Sequence, residues 1–293
     1  MTLFIYKKEE CIRLVQLSEV SSVNFYNVNS ATNVPISPAQ IKPNGFIGAH
    51  PQSYASPKTD YFIGANQNLN GAQNPIQSTI DECLVRVAPK LYLNKYMTKE
   101  IITNAINQNP KITELLNSKG INAKVNMENI KGKAEEHFLT TYNMAKELSS
   151  KLPLDEYSAL MQASLLHDIG KALIPTEILN KPGKLTDAEK EIVDMHSQLG
   201  AEILKTTKIN PKVIEAVALH HTEHTNPRKT NNQIAQIISV ADVYSALKEE
   251  RPYKTKFSNE QVRDIMQNDT KLNQDYVNQI FYSEDISNFK QAV

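Results

Sequence analysis

Apolar side chains recur at a spacing of three to four residues through most of the chain after Ile80, and the two-residue alternation of half-buried strands is absent from the C-terminal half. The pattern predicts a short helix over Asp81–Val87 that stops before Pro89, a helix capped by Thr98 and running through Asn107, and a third from Ile112 to Ser118 that ends at Gly120. Longer helices follow. Glu135–Lys151 sets Phe138, Tyr142, Ala145 and Leu148 along one face and is closed by Pro153, and Asp155–His167 turns Leu160, Ala163, Ser164 and Leu165 inward. Thr186 and Glu189 have the spacing of a capping box and open a helix expected to reach about Lys205. Asn210-Pro211 starts another that ends at His220 and His221. The run Asn232–Glu249 is apolar on more than one side, which predicts a central helix, while Ser258 and Gln261 box the start of the next and Asp275–Tyr282 forms the last. The fold class read from this pattern is all-α.

Composition divides the chain. From Ser21 to Gln77 it is rich in Asn, Ser, Pro and Gly, with too little apolar surface to offset the entropy of ordering. Residues 1–79 are therefore read as a largely disordered N-terminal segment, with a short docking stretch at Met1–Val20 as an option. A partner-binding tail anchored by Phe25, Tyr26 and Tyr61 is the functional alternative, and disorder without a specific role is the plainer reading. Residues 80–127 read as a small helical subdomain and 128–285 as the main helical domain. Thirty-two basic residues balance 32 acidic ones, so no overall field favours a nucleic-acid polymer or an anionic membrane. No apolar run approaches the length of a membrane span, and the N-terminus has no signal-peptide pattern. Two cysteines, Cys11 and Cys83, are too few for a disulfide framework and fit a reducing compartment, so the expectation is a cytoplasmic protein without a membrane partner.

Histidine use is the anomaly. Six of seven histidines lie between residues 137 and 224, and only His50 lies outside. A single histidine on an apolar face is commonly a satisfied core residue, but six interleaved with Asp168 and Asp242 are hard to explain by packing, since each buried imidazole needs polar partners. His167 and Asp168 end an apolar helix in LLHDIGK, where Gly170 would let the chain leave the helix. Asp242 interrupts the apolar ISVADVYSAL, where an unpaired carboxylate would be very costly. A divalent cation supplies the missing charge. Imidazole with carboxylate suits zinc, manganese or iron, and the distant cysteines argue against a thiolate site. His224 sits in a polar loop and needs no role. The Glu-Lys-Glu and Lys-Glu-Glu clusters at 189–191 and 248–250 read as solvated helix faces, and Tyr244 as packing.

The ordered set His137, His167-Asp168 and Asp242 resembles the signature of HD-domain metal-dependent phosphohydrolases. The run HDIGKALIPTEILNKPGKLTDAEKEIVDMH, then ALHH, then SVADVYSAL and RPYK, is similar to the HD-GYP subfamily over roughly residues 133 to 282. The resemblance implies an HD helical bundle over 128–285. It implies that His137, His167, Asp168 and Asp242 hold one metal, that Asp168 bridges to a second, and that His196, His220 and His221 complete the second site. His221 could instead stand just outside the metal's ligands, since neighbouring helical residues point about 100° apart. Two divalent ions are implied, iron or manganese favoured over zinc. Such a centre lowers the pKa of a water to give a nucleophile and stabilises charge growing on a phosphoryl oxygen. Asp168 and Lys171 would be catalytic, and Lys171, Arg251 and Lys254 would bind substrate phosphate.

Where that subfamily carries Asp-Gly-x-Gly-Tyr-Pro after its paired histidines, this chain has TEHTNPRKTNNQ, with no glycine or tyrosine. The resemblance thus implies hydrolysis of a phosphodiester or phosphomonoester, of nucleotide type, more firmly than it implies cyclic di-GMP. Position 133, where members with three metals use a glutamate, is Lys, leaving Glu135 or Glu136 as substitutes. The alternative function is a non-hydrolytic signalling module that binds a nucleotide or a protein partner, the latter through the N-terminal segment.

Overall fold

The structure is a computed structural model that describes residues 11, 75–150, 152–222, 231–249 and 256–282, and every regular element among them is helical. All of them belong to one compact unit comprising residues 1–16 and 71–293. The expectations for Phe25, Tyr26, Tyr61, His50, His224, Arg251 and Lys254 lie outside the described residues.

Four helices come first: α1 (Pro75–Val87), α2 (Pro89–Tyr96), α3 (Lys99–Gln108) and α4 (Pro110–Asn117). The start of α1 is six residues earlier than the sequence pattern predicts, and α2 is additional. Proline lacks an amide donor, so Pro89 ends one helix and, at a first helical position, opens the next. Thr98 caps α3 by accepting from the Ile101 amide, and Asn109 caps α4 by accepting from that of Lys111. Gly120 follows α4 with φ 69°, the left-handed geometry that favours glycine at a helix end.

The longer helices are α5 (Lys133–Leu148), α6 (Leu154–Leu166), the single turn α7 (Thr176–Leu179), α8 (Asp187–Asp194), α9 (His196–Leu204), α10 (Pro211–Leu219), α11 (Gln233–Lys248) and α12 (Asn259–Asn268); a last helix, α13, covers 274–282. The capping boxes at Thr186 and Ser258 form as the spacing requires. One prediction is corrected: the helix expected to run from Asp187 to about Lys205 is two, because the ladder breaks at Met195 and restarts with His196. The two parts have different surroundings. None of α8 is buried, whereas eight of the nine residues of α9 are.

The core lies around α6 and α11. Every residue from Ser158 to Leu166 and from Ile234 to Ala241 is buried, so these helices are covered on all sides. Each fully buried leucine, such as Leu160, Leu165 or Leu166, contributes about 1.5–3 kcal/mol. The small N-terminal helices share this core: α1 and α2 pack on α6, and α3 and α4 on α9. The Tyr92 hydroxyl donates to Gln162 Oε1 at 2.9 Å, and Asn109 Nδ2 donates to the Glu202 carbonyl and carboxylate.

Two contacts fix the chain immediately after His167-Asp168. There it forms a short 3-10 turn, Ile169–Leu173, held from one side by Asn129 Nδ2, which donates to the Lys171 and Ile174 carbonyls, and by the Asn126 amide on Ala172 O. From the other side α9 comes so close that a Cβ on Gly170 would stand 2.0 Å from the His196 carbonyl oxygen. The role expected of Gly170, release from a helix, is replaced by a steric one: only a residue without Cβ lets the turn touch the backbone of α9.

Cys11 and Cys83 are disulfide-bonded, with Cα atoms 4.9 Å apart across 72 residues of sequence. The pairing replaces the reading of these cysteines as distant. No described helix is long and apolar enough to cross a membrane.

Candidate metal centre

Five helices deliver the seven residues singled out as metal ligands. His137 comes from the first half of α5, His167 and Asp168 from the end of α6, His196 from the first position of α9, His220 and His221 from the end of α10, and Asp242 from α11 just past its buried span. The carboxyl ends of α6 and α10, with their negative dipole ends, meet here, an arrangement that favours a cation. His167 and His220 have no exposed surface, and Asp168, His196 and His137 have 1%, 2% and 7%.

The donors sort into two groups, His137 with His167 and Asp168, and His196 with His220 and His221. Asp168 stands between them. Its Oδ2 lies 3.4 Å from His167 Nε2 and 3.8 Å from His137 Nε2, while its Oδ1 faces His196 Nε2 at 3.0 Å. Asp242 Oδ1 joins the first group, 2.9 Å from His137 Nε2 and 3.7 Å from His167 Nε2.

The imidazole tautomers follow from what the outer nitrogens touch. The Nδ1 atoms of His167, His196 and His220 lie 2.9, 2.6 and 2.7 Å from the carbonyls of Ser164, Val193 and Val217, each three residues earlier. A carbonyl only accepts, so each Nδ1 carries the proton and each Nε2 turns a lone pair inward. His196 Nε2 then faces His220 Nε2 at 3.3 Å and His221 Nε2 at 3.1 Å. Lone pairs at that separation repel unless a cation or proton lies among them. His167 Nε2 and Asp168 Oδ1 are buried without a hydrogen-bond partner; His196 is near enough to Asp168 Oδ1 but not aligned as a donor. Orphaned nitrogen and oxygen donors converging in one cluster fit a pair of divalent ions.

Charge in the cluster is tightly set. Burial opposes the charged form of His167, yet Asp168 and Asp242 outweigh it and push the imidazole up to about 10. Burial would raise both carboxyls, but Lys171 and His167 hold Asp168, and His137 and His167 hold Asp242, well below the usual carboxylate range. In the second group burial dominates and the neighbouring imidazoles add to it, lowering His220 well below its ordinary value and His221 to about 4. The first group thus attracts protons or cations, while His220 and His221 stay neutral and ready to ligate.

Lys171 Nζ lies 2.5 Å from Asp168 Oδ2, at the edge of the centre and partly exposed. Neither Glu135, which pairs with Lys131, nor the exposed Glu136 belongs to the donor groups. A carboxylate that the sequence reading placed on a solvated helix face does reach the site. Glu249 Oε1 accepts from His137 Nδ1 at 2.6 Å, giving that imidazole the outer partner that carbonyls give the other three. No local motif marks Glu249; only the end of α11 folding back over α5 brings it there.

A family model described as HD domain matches residues 103–275, more than half of the chain. The chain belongs to the HD-domain family. Among similar curated proteins are a cyclic di-GMP phosphodiesterase of Pseudomonas aeruginosa, 39% identical over 119 residues that make up 38% of this chain and 28% of that protein, and the 3'3'-cGAMP-specific phosphodiesterase 2 of Vibrio cholerae, 36% identical over 118 residues, 37% of this chain and 23% of that one. A cyclic di-GMP phosphodiesterase of Thermotoga maritima is 38% identical over 103 residues, 31% and 27% of the two chains. The matches span less than a third of each relative's length. In this HD domain the matched region takes in α4 and most of α3, helices that the sequence pattern alone sets in a separate subdomain.

Proposed function

We propose that this HD domain hydrolyses a phosphodiester bond in a cyclic dinucleotide. His137, His167, Asp168 and Asp242 would hold one divalent ion and His196, His220, His221 and Asp168 a second, with iron or manganese favoured over zinc. The observation that carries the reading is Asp168, which offers one oxygen to each of two histidine groups. When bound, the ions supply Lewis acidity toward a phosphoryl oxygen and a water made acidic near neutral pH.

The chain's own residues do the rest. Backbone carbonyls and Glu249 fix the four outer nitrogens, so the imidazoles meet the metals without reorienting. Lys171, three residues after Asp168 and paired with its Oδ2, would turn its ammonium onto a phosphate oxygen and balance charge there. Arg251 and Lys254 would grip the remaining phosphate oxygens, the arginine two at once. The phosphodiesterase names of the similar proteins support the substrate class. The missing Asp-Gly-x-Gly-Tyr-Pro segment favours one competing reading, a metal-stabilised module that binds a nucleotide or protein partner without turnover.

The test is to purify the full chain anaerobically and assay cyclic di-GMP, 3'3'-cGAMP, a linear dinucleotide and a generic phosphodiester beside Asp168→Ala. Turnover of a cyclic dinucleotide that Asp168→Ala abolishes is expected. Bound metal with no turnover of any of the four would favour the binding module.

A further inference from the structure

A cavity lies apart from the candidate metal centre. It has a volume of about 660 Å³ and is lined by Arg86 and Val87 at the end of α1, by Tyr142, Lys146 and Ser149 on α5, and by Tyr157 on α6, among others. His137 and Lys146 are nine residues apart on one helix, which puts the cavity roughly 14 Å from the metal centre along α5. Tyr157 and His167 bound α6 in the opposite sense, so the two sites occupy opposite ends of the same pair of helices.

The cavity's chemistry is one-sided. Arg86 and Lys146 bring two positive charges, and no carboxylate is among the lining residues. Arg86 Nε is buried without a hydrogen-bond partner, and its guanidinium lies 5.8 Å above the centre of the Tyr157 ring. Glu82, one turn earlier on α1, feels the arginine's charge, but burial raises its carboxyl and it forms no ion pair with Arg86. The Tyr142 hydroxyl donates to the Val85 carbonyl at 2.8 Å, which leaves its oxygen able to accept, and burial pushes it up to about 12, so it adds no negative charge. An arginine donor left orphaned where none of the described lining residues is acidic fits an anion that is not part of the chain. The remaining wall, with two tyrosine rings and Leu152 and Leu154, suits an apolar or flat body, and the volume is that of a small organic ligand.

We propose that this cavity binds an organic phosphate ester, the phosphate held by Arg86 and Lys146 and the organic body by Tyr142, Tyr157 and the leucines. The site is distinct from the phosphohydrolase centre and does not depend on its activity. Titration calorimetry on the full chain carrying Asp168→Ala, which removes the bridging ligand of the metal centre, tests it with guanosine 5'-monophosphate, inorganic phosphate and guanosine as probes. Saturable binding of the monophosphate is expected, weaker for inorganic phosphate and undetectable for guanosine. Adding Arg86→Gln should weaken it about tenfold or more, the loss of a charged hydrogen bond. If Arg86→Gln does not fold by circular dichroism, Lys146→Glu, at an exposed position, should abolish binding by reversing one of the two charges. No saturable binding of the monophosphate, affinity untouched by these substitutions, or equal affinity for inorganic phosphate would each overturn the assignment.

Discussion

Glu249 shows at the scale of one residue what makes the centre a ligand set. Three imidazoles use a carbonyl three residues back, a contact that helix geometry supplies without cost, but His137 sits inside a continuous helix whose carbonyls are already bonded. It takes its outer partner from Glu249 instead. Replacing Glu249 with Gln should therefore weaken metal binding about 10–100-fold at the His137 group while the His196 group retains its affinity, read by metal titration of the stripped chain. Equal affinity at both groups would show that Glu249 is incidental. Titration of the histidines gives a second outcome. In the metal-stripped chain His220 and His221 are held neutral, His221 down to about 4, so the stability they allow is complete above their ordinary value of 6.5 and is lost as pH falls toward 4. His167 has the opposite sign: raised to about 10, it stabilises fully below 6.5, and that contribution disappears as pH rises through 10. Melting temperatures of the stripped chain should form a dome across this range, and His167→Asn should flatten its alkaline side. The candidate ligands were legible because histidine and aspartate stand out in apolar helices. Glu249 was not, since one more charge in Lys-Glu-Glu carries no mark of what it touches.

At the scale of elements, capping chemistry was the most readable feature. Thr98, Thr186, Asn210 and Ser258 all cap the helices their spacing predicts, because each such signal is local. The break between α8 and α9 was hidden because its cause is not local: no residue in EIVDMHSQLG breaks a helix, and the division corresponds to a change from a solvated to a buried environment. That junction sets His196 against the turn after Asp168, and Gly170 is the point of contact. Gly170→Ala should destabilise the fold by about 3 kcal/mol in urea melts, since both partners in the clash are backbone. It should also reduce metal occupancy by moving His196 away from Asp168. Normal stability and occupancy in that variant would contradict the close approach.

For the whole molecule, one core joins the N-terminal helices to the histidine-bearing ones, a union that local spacing does not reveal because its contacts link residues far apart in the chain. Their anchors, Tyr92 on Gln162 and Asn109 on Glu202, link residues 70 and 93 positions apart. The disulfide between Cys11 and Cys83 spans a similar distance. The metal centre draws on five helices of this same body, so ions bound there should stabilise the whole fold and chelation should lower its melting temperature. The most direct measurement of the central claim is the metal content of the anaerobically purified full chain beside Asp168→Ala. A bridging Asp168 requires two divalent ions per chain in the wild type and a loss of both kinds of site, not one, in the variant. A wild-type chain with no divalent metal, or a variant that keeps its full complement, would contradict it.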